Sequence, residues 1–345
     1  MSFKVTVLPG EQTFTVREEQ TVLDAALEAG IVLPYSCRNG TCSTCKGKIV
    51  SGSYDAGPAP AHTLRPDELD QGYTLLCQAR PSSDLVIQAQ IVRMAGDIEV
   101  RKMPSRVMAI EDLAPDVRLI QLQLPSSEPF NYHPGQYIEF IMRDGRRRSY
   151  SMANAPRENN LIDLHIRHMP GGAFTDHVFG AGSTAMKVRE ILRVEGPLGS
   201  FFLREDSAKP IVLLASGTGF APIKALVERL IDTGSRRPVV LYWGGRRPHD
   251  LYLDSLAREW ADTLPDFHYV PVVSDALESD NWTGRTGFVH YAVMQDIPDL
   301  SGHQVYVCGN PVMVESARND FTTQNGLPED EFFADAFTSE ADVVA

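Results

Sequence analysis

No apolar run in the 345 residues approaches the ~20 that a membrane-spanning helix needs. No membrane partner is therefore expected. The opening stretch, MSFKVTVLPG, has no charged segment leading into an apolar one, so it reads as a strand entering a turn rather than a secretion signal. A cytoplasmic location follows as an expectation. Basic residues are in deficit: 32 Lys and Arg against 45 Asp and Glu leave a net charge of −13. A surface this acidic repels phosphate backbones, which argues against a nucleic-acid partner. The acidity reads either as ordinary solvation or as steering for a basic partner. Internal repeats and low-complexity segments are lacking. Cysteine is scarce, with five in the chain, and in a reducing compartment disulfides are disfavoured.

What cysteine there is lies close together. CRNGTCSTC (37–45) carries Cys37, Cys42 and Cys45, and Cys77 follows after 31 intervening residues. C-x4-C-x2-C with a distant fourth cysteine is the plant-type [2Fe–2S] spacing. Each iron takes two thiolates, and three cysteines in one loop plus one from elsewhere can enclose both. Gly40 lets backbone N–H groups approach the sulfides. Zinc sites generally come as two short C-x2-C knuckles, and this chain has no such pair. The competing readings are a zinc-stapled binding module without redox activity, or inert thiols.

The length predicts two or three domains. FKVTVL (3–8) and QTFTV (12–16) flank Pro9-Gly10 as a hairpin. A helix follows over TVLDAALEAG, with Thr21 and Asp24 as a capping box. LVIQAQIV (85–92) closes a compact α+β unit over 1–92. The aperiodic 93–104 reads as a linker. Residues 105–206 form a small antiparallel barrel, from RVMAIEDL, VRLIQLQL, QYIEFIM, SYSMA, LIDLHIR and ILRVEG, interrupted by a helical FTDHVFGA. Residues 207–345 alternate apolar strands with helical segments, including a helix over 250–264. That pattern predicts a parallel sheet covered on both faces.

Two further motifs carry chemistry. Arg148-Ser149-Tyr150-Ser151 fits an R-x-Y-S flavin signature. Arg148 pairs with a pyrophosphate, Tyr150 stacks on a flat ring, and Ser151 hydrogen-bonds a ring nitrogen. GGAFT (171–175) puts glycine amides of Gly172 and its neighbour before a short helix, a second phosphate-friendly element. His165, Ile166 and Arg167 on the preceding strand are candidates to line adenine or phosphate; His165 reads equally as a packed strand histidine. SGTGFAP (216–222) joins an apolar strand to a helix, the placement a dinucleotide site needs. It lacks the acid about twenty residues on that holds a ribose in the usual fingerprint. The next strand ends instead in Arg246 and Arg247, which accept a 2′-phosphate or are solvated loop charges. Cys308 opens CGNP at a strand end and is either packing or a nicotinamide contact.

The three motifs in this order resemble the ferredoxin–NAD(P) reductase superfamily with an N-terminal plant-type ferredoxin domain, over essentially the whole chain. GRRRSYSMANAP, EGPLGSFFLRED, LASGTGFAPIKAL, NWTGRTGFVHYAVMQDIPDLSG, VYVCGNPVMVESARNDF and FFADAF are similar to the CDP-6-deoxy-Δ3,4-glucoseen reductases. PYSCRNGTC and SYSMANAP are shared with reductase components of aromatic-ring oxygenases. The resemblance implies a β-grasp ferredoxin domain, an antiparallel FAD-binding β-barrel and a parallel-sheet NAD-binding domain. It implies Cys37, Cys42, Cys45 and Cys77 on the cluster, and Arg148, Tyr150, Ser151, Gly172 and Thr175 on FAD. Gly217, Thr218, Gly219, Cys308 and Gly309 would line the nicotinamide site, with Asp335 and Phe337 as an acid-x-aromatic element near the flavin. Tyr150, Ser151, Thr218 and Cys308 are the residues expected at the reacting rings. The resemblance favours NADH, NADPH not being excluded by the arginines. The electron acceptor it implies is a dideoxysugar dehydrase or an oxygenase component. Ser43 departs from the glycine common in related loops: its extra atoms either crowd the sulfide cage or add a hydrogen bond.

Overall fold

The structure, a computed structural model, describes residues 1–60, 63–92, 98–127, 129–180 and 184–337. These form two compact units. The first takes 1–92 with 199–201 and 334–337; the second takes 98–198 and 202–333.

In the first unit the elements are β1 (Ser2–Leu8), β2 (Gln12–Arg17), α1 (Val22–Glu28), β3 (Lys46–Ser51), β4 (Tyr54–Asp55), α2 (Pro66–Asp70), β5 (Tyr73–Leu75), β6 (Arg80–Pro81) and β7 (Leu85–Gln88). The main sheet runs β2-β1-β7-β3-β5. The hairpin β1–β2 is antiparallel, while β1 and β7 are parallel. Val5, Val7, Phe14 and Val16 alternate inward, as half-buried strands must. They meet Val22, Leu23, Ala25 and Ala26 on one face of α1. The Thr21 hydroxyl accepts the amide of Asp24 at 3.2 Å and caps that helix. Leu23 is fully buried, and its truncation to alanine would cost about 2–5 kcal/mol. The closing strand stops at Gln88, short of the expected residue 92.

The second unit begins with β8 (Arg101–Ala114), β9 (Val117–Gln123), β10 (Tyr137–Ile141), β11 (Arg147–Ser151), β12 (Leu161–Arg167), α3 (Ala173–Phe179) and β13 (Ile191–Leu198). Their order is β11-β10-β13-β8-β9-β12. A bridge between Met152 and Leu164 links the two edges and closes a barrel. Residues 101–104, assigned to the linker on sequence, are the first of β8. They pair with 193–196 of β13, and Pro104 fits at one position of that ladder without ending it. Residues 93–97 of the expected linker lie outside the described residues.

The chain continues with β14 (Ile211–Ser216), α4 (Phe220–Asp232), β15 (Val239–Gly245), α5 (Asp254–Thr263), β16 (Phe267–Val273), β17 (Arg285–Thr286), α6 (Val289–Asp296), β18 (Gln304–Gly309), α7 (Pro311–Thr323) and β19 (Phe332–Ala336). The sheet order is β17-β16-β15-β14-β18-β19, and β14 pairs in parallel with both β15 and β18. Strand order therefore reverses at β14, the switch point where such sheets open a crevice at their carboxyl ends. The helix expected over 250–264 begins at Asp254. Asp250 is held back because its buried carboxylate accepts the amides of Arg246 and Arg247 at 2.8 and 2.9 Å.

Candidate functional site

Strand register assembles the cysteines. Lys46 of β3 lies opposite Leu75 of β5, and Leu76 N donates to Cys45 O at 3.0 Å. That places Cys45 beside Cys77 although they are far apart in sequence. Cys37 and Cys42 meet within the loop, where the amide of Cys37 lies 3.4 Å from the Cys42 sulfur. All five cysteines are free thiols. In each pair one thiol is made more acidic by accepting the other's S–H. Cys37 is pushed down to about 6, first by the hydrogen bond from Cys42, against burial and with help from the backbone of Asn39 and Thr41. Cys77 is lowered first by its hydrogen bond from Cys45. The hydrogen bond to the partner thiol first, and burial next, raise Cys42 and Cys45. Cys37 with Cys42 and Cys45 with Cys77 therefore stand as two thiol pairs. Two thiol pairs suit two irons, so these residues fit a [2Fe–2S] cluster.

The cysteine loop is fixed on its N-terminal side by buried hydrogen bonds inside the same unit. Tyr35 N donates to Ser200 Oγ at 2.8 Å, and Gly199 N donates to the Tyr35 hydroxyl at 2.9 Å. The Ser36 hydroxyl donates to Asp335. Asp335, expected near a flavin, is thus bonded to the residue preceding Cys37. Phe337 lies two residues on and is half-buried.

In the barrel, the period of two puts Arg148 and Tyr150 on one face of β11 and Ser151, buried, on the other. The Tyr150 ring packs against Phe174 and Phe140 at centroid distances of 5.3 and 5.8 Å. Burial raises its hydroxyl pKa. A guanidinium beside a braced aromatic face suits a flavin nucleotide: one holds pyrophosphate, the other lies against a flat ring. Gly172 caps α3. The Thr175 hydroxyl is engaged inside that turn, donating to Met169 O at 2.8 Å and accepting from Met169 N at 3.2 Å. It shapes the turn from within.

β12 separates its three candidates by the same alternation. Ile166 is fully buried in the barrel core, so its side chain offers nothing to a ligand. His165 and Arg167 point the other way. His165 Nδ1 and the Tyr252 hydroxyl share a hydrogen bond of 3.0 Å. Burial first, and the charge of Lys224 next, push His165 down to about 3. Arg167 pairs with Asp250 at 3.3 Å. Its Nε lies 3.3 Å from Asp116 yet is not aligned for a hydrogen bond with it. The guanidinium stands over Gly217.

At the switch point the loops after β14 and β18 press together. A Cβ on Gly219 would lie 2.2 Å from Cys308 O, and one on Gly309 would lie 2.3 Å from Ser216 Oγ. Asn310 N donates to Ser216 Oγ at 2.9 Å. Gly217 has φ 52°, and its carbonyl accepts Trp243 Nε1 at 3.0 Å. Thr218 sits between these two glycines in a single 3-10 turn. The turn rests on Phe220, stacked on Trp243 at 3.8 Å, with Tyr252 edge-on to both. Cys308 is wholly buried at the end of β18.

Side chains that sequence reasoning did not single out join the motifs. Lys224 Nζ donates to Ala153 O at 2.9 Å, and Ala155 N donates to Glu228 Oε2 at 2.8 Å. α4, which starts at the nucleotide motif, thereby grips the segment just after the flavin motif. An i, i+4 acid–base pair looks like a solvated helix face, so only the fold exposes this role.

Three domain families match the chain in order: the 2Fe-2S iron-sulfur cluster binding domain over 5–82, the oxidoreductase FAD-binding domain over 104–203 and the oxidoreductase NAD-binding domain over 213–319. The chain is 43% identical over 337 residues to the CDP-6-deoxy-L-threo-D-glycero-4-hexulose-3-dehydrase reductase of Yersinia pestis, covering 98% of this chain and 99% of the relative. The chain belongs to the iron–sulfur flavoprotein reductases. The reductase is also 35% identical over 341 residues to a terephthalate 1,2-dioxygenase reductase component of Comamonas, covering 98% of each. Among solved structures it is similar to the Amycolatopsis cytochrome P450 reductase GcoB, at TM-score 0.75 and 34% identity over 98% of this chain and 99% of that one. The reductase has, among its described residues, no helix long and apolar enough to cross a membrane.

Proposed function

We propose that this reductase oxidises NADH and supplies electrons to a cytoplasmic dehydrase acting on a CDP-linked deoxysugar. The observation that carries the reading is the end-to-end identity of 43% to the Yersinia dehydrase reductase, against 35% for the dioxygenase component. Bound FAD exchanges electron pairs with a nicotinamide and single electrons with a [2Fe–2S] cluster, so the three domains suffice for stepping between them.

Cys37, Cys42, Cys45 and Cys77 hold the cluster. Arg148 pairs with the FAD pyrophosphate, Tyr150 lies against the isoalloxazine and Ser151 hydrogen-bonds its edge. Gly172 and Thr175 set the phosphate turn. Gly217, Thr218, Gly219 and Gly309 let the dinucleotide approach the backbone, with Cys308 as the packed floor. His165 and Arg167 border that site from the barrel. Asp335 and Phe337 serve at the junction with the ligand loop. NADH is favoured over NADPH because Arg247 stands 3.5 Å from each of Asp275 and Asp280. A 2′-phosphate there would find the Arg247 guanidinium already facing two carboxylates.

The test is NADH consumption by purified protein coupled either to a CDP-deoxysugar dehydrase or to an aromatic-ring oxygenase component. Coupling to the dehydrase alone is the expected result; coupling to the oxygenase alone overturns the assignment. The oxygenase reading is the second choice, supported by the 35% identity to the terephthalate 1,2-dioxygenase reductase component.

A further inference from the structure

Ser43 holds a backbone conformation that suits glycine. Its φ is 58°, in the left-handed region where a Cβ is penalised. Its hydroxyl is buried and donates to the carbonyl oxygen of Thr63 at 2.8 Å. Its own carbonyl accepts Lys46 N at 3.1 Å, closing the turn that contains Cys45. At the other end of that turn Lys46 pairs with Glu68, and the two side chains are only 12% and 7% exposed. The second carboxylate oxygen of Glu68 accepts Arg65 N at 2.9 Å. The segment 63–68 is thus fastened to the ligand loop on both sides of Cys45, and all these groups lie in the first unit.

We propose that Ser43–Thr63 and Lys46–Glu68 form a two-point clasp that holds the turn around Cys45 in the shape the cluster requires. The serine hydroxyl offsets the cost of the left-handed backbone and anchors the turn at the same time. Ser43 and Glu68 are positioning residues; neither is a ligand. The clasp rests on the four cysteines being the cluster ligands, which the iron content and visible spectrum of the wild-type chain test separately.

The clasp ranks variants differently from ordinary packing. Ser43→Ala loses the anchor and keeps the strained backbone. Ser43→Gly loses the anchor and the strain together. If the side chain merely fills space, glycine is the worse substitution; if the clasp operates, alanine is. The experiment uses full-length holoprotein, with bipyridyl capture of iron from the dithionite-reduced cluster and the electron paramagnetic resonance spectrum of the reduced state. Ser43→Ala is expected to release iron roughly tenfold faster, as fits one lost buried hydrogen bond over a strained residue, and to shift the reduced-state g-values. Ser43→Gly is expected to release iron at a rate between wild type and Ser43→Ala, since it loses the anchor but adopts this φ freely. Glu68→Gln, which keeps a hydrogen-bonding amide but no charge, is expected to speed release as well. Release from Ser43→Gly as fast as or faster than from Ser43→Ala overturns the proposal, and so does a Ser43→Ala protein indistinguishable from wild type. Unchanged release from Glu68→Gln removes the Lys46–Glu68 half.

Discussion

Lys224 reaches from the helix that opens at the nucleotide motif and donates to the carbonyl oxygen of Ala153, at 2.9 Å, just beyond the flavin motif. Glu228, one turn on, accepts the amide of Ala155 and pairs with the same lysine. The two halves of the second unit are thereby joined by hydrogen bonds between helix side chains and backbone groups. Lys224→Met should destabilise this unit by about 1–3 kcal/mol, the cost of leaving a buried polar partner unmet. Urea unfolding followed by flavin fluorescence measures it. A midpoint equal to wild type would show the bond to be idle.

His165 gives the second unit an acid sensitivity. Its folded-state pKa is about 3, below the ordinary 6.5, because burial and then Lys224 disfavour its charge, against Asp163. Between those values the unfolded chain binds the extra proton. The stabilisation is complete above pH 6.5 and falls away as pH drops toward 3. His165→Gln should flatten the fall in thermal midpoint between pH 6.5 and 4.5, read by differential scanning calorimetry of wild type and variant in parallel.

Gly219 admits no side chain. A methyl group would sit 2.2 Å from the carbonyl oxygen of Cys308. Gly219→Ala must push the two loops apart at a cost of about 1–3 kcal/mol. Steady-state kinetics with ferricyanide should show a raised KM for NADH, while flavin content stays that of wild type. An unchanged KM would mean that the dinucleotide does not depend on this contact.

Cys77→Ser removes one of the two thiols that the β3–β5 pairing brings together. Visible iron–sulfur absorption and cytochrome c reduction should be lost. NADH-dependent ferricyanide reduction, which draws on the flavin, should persist. Equal loss of both activities would assign the cysteine a structural role instead.

Much of this was readable from residue order. R-x-Y-S, a glycine turn between strand and helix and the first three cysteines are local signals, because the groups that cooperate lie within a few residues of one another. The hairpin, the capped first helix and the alternating third region are legible for the same reason. What stayed hidden depends on non-local pairing. Nothing in the string Tyr252 or Trp243 distinguishes a brace beneath the nucleotide turn from an ordinary core aromatic. The left-handed backbone of Ser43 was equally invisible; the sequence raised crowding or a hydrogen bond, and the hydroxyl is found on Thr63. The start of β8 was missed because Pro104 reads as an end, yet the ladder tolerates it. Ile166 was grouped with its neighbours by adjacency, where strand alternation sends it into the core.

The pairing of Lys46 with Leu75 has a topological consequence. Once Cys45 and Cys77 share one inorganic core, the 31 residues between them become a closed ring of chain. Closing a ring of that size removes about 3–4 kcal/mol worth of freedom from the denatured state, by the arithmetic that applies to a disulfide. The metal centre would thus act as a cross-link formed without any disulfide. Stripping the iron should widen the denatured ensemble of the first unit while leaving the folded contacts of the second unchanged.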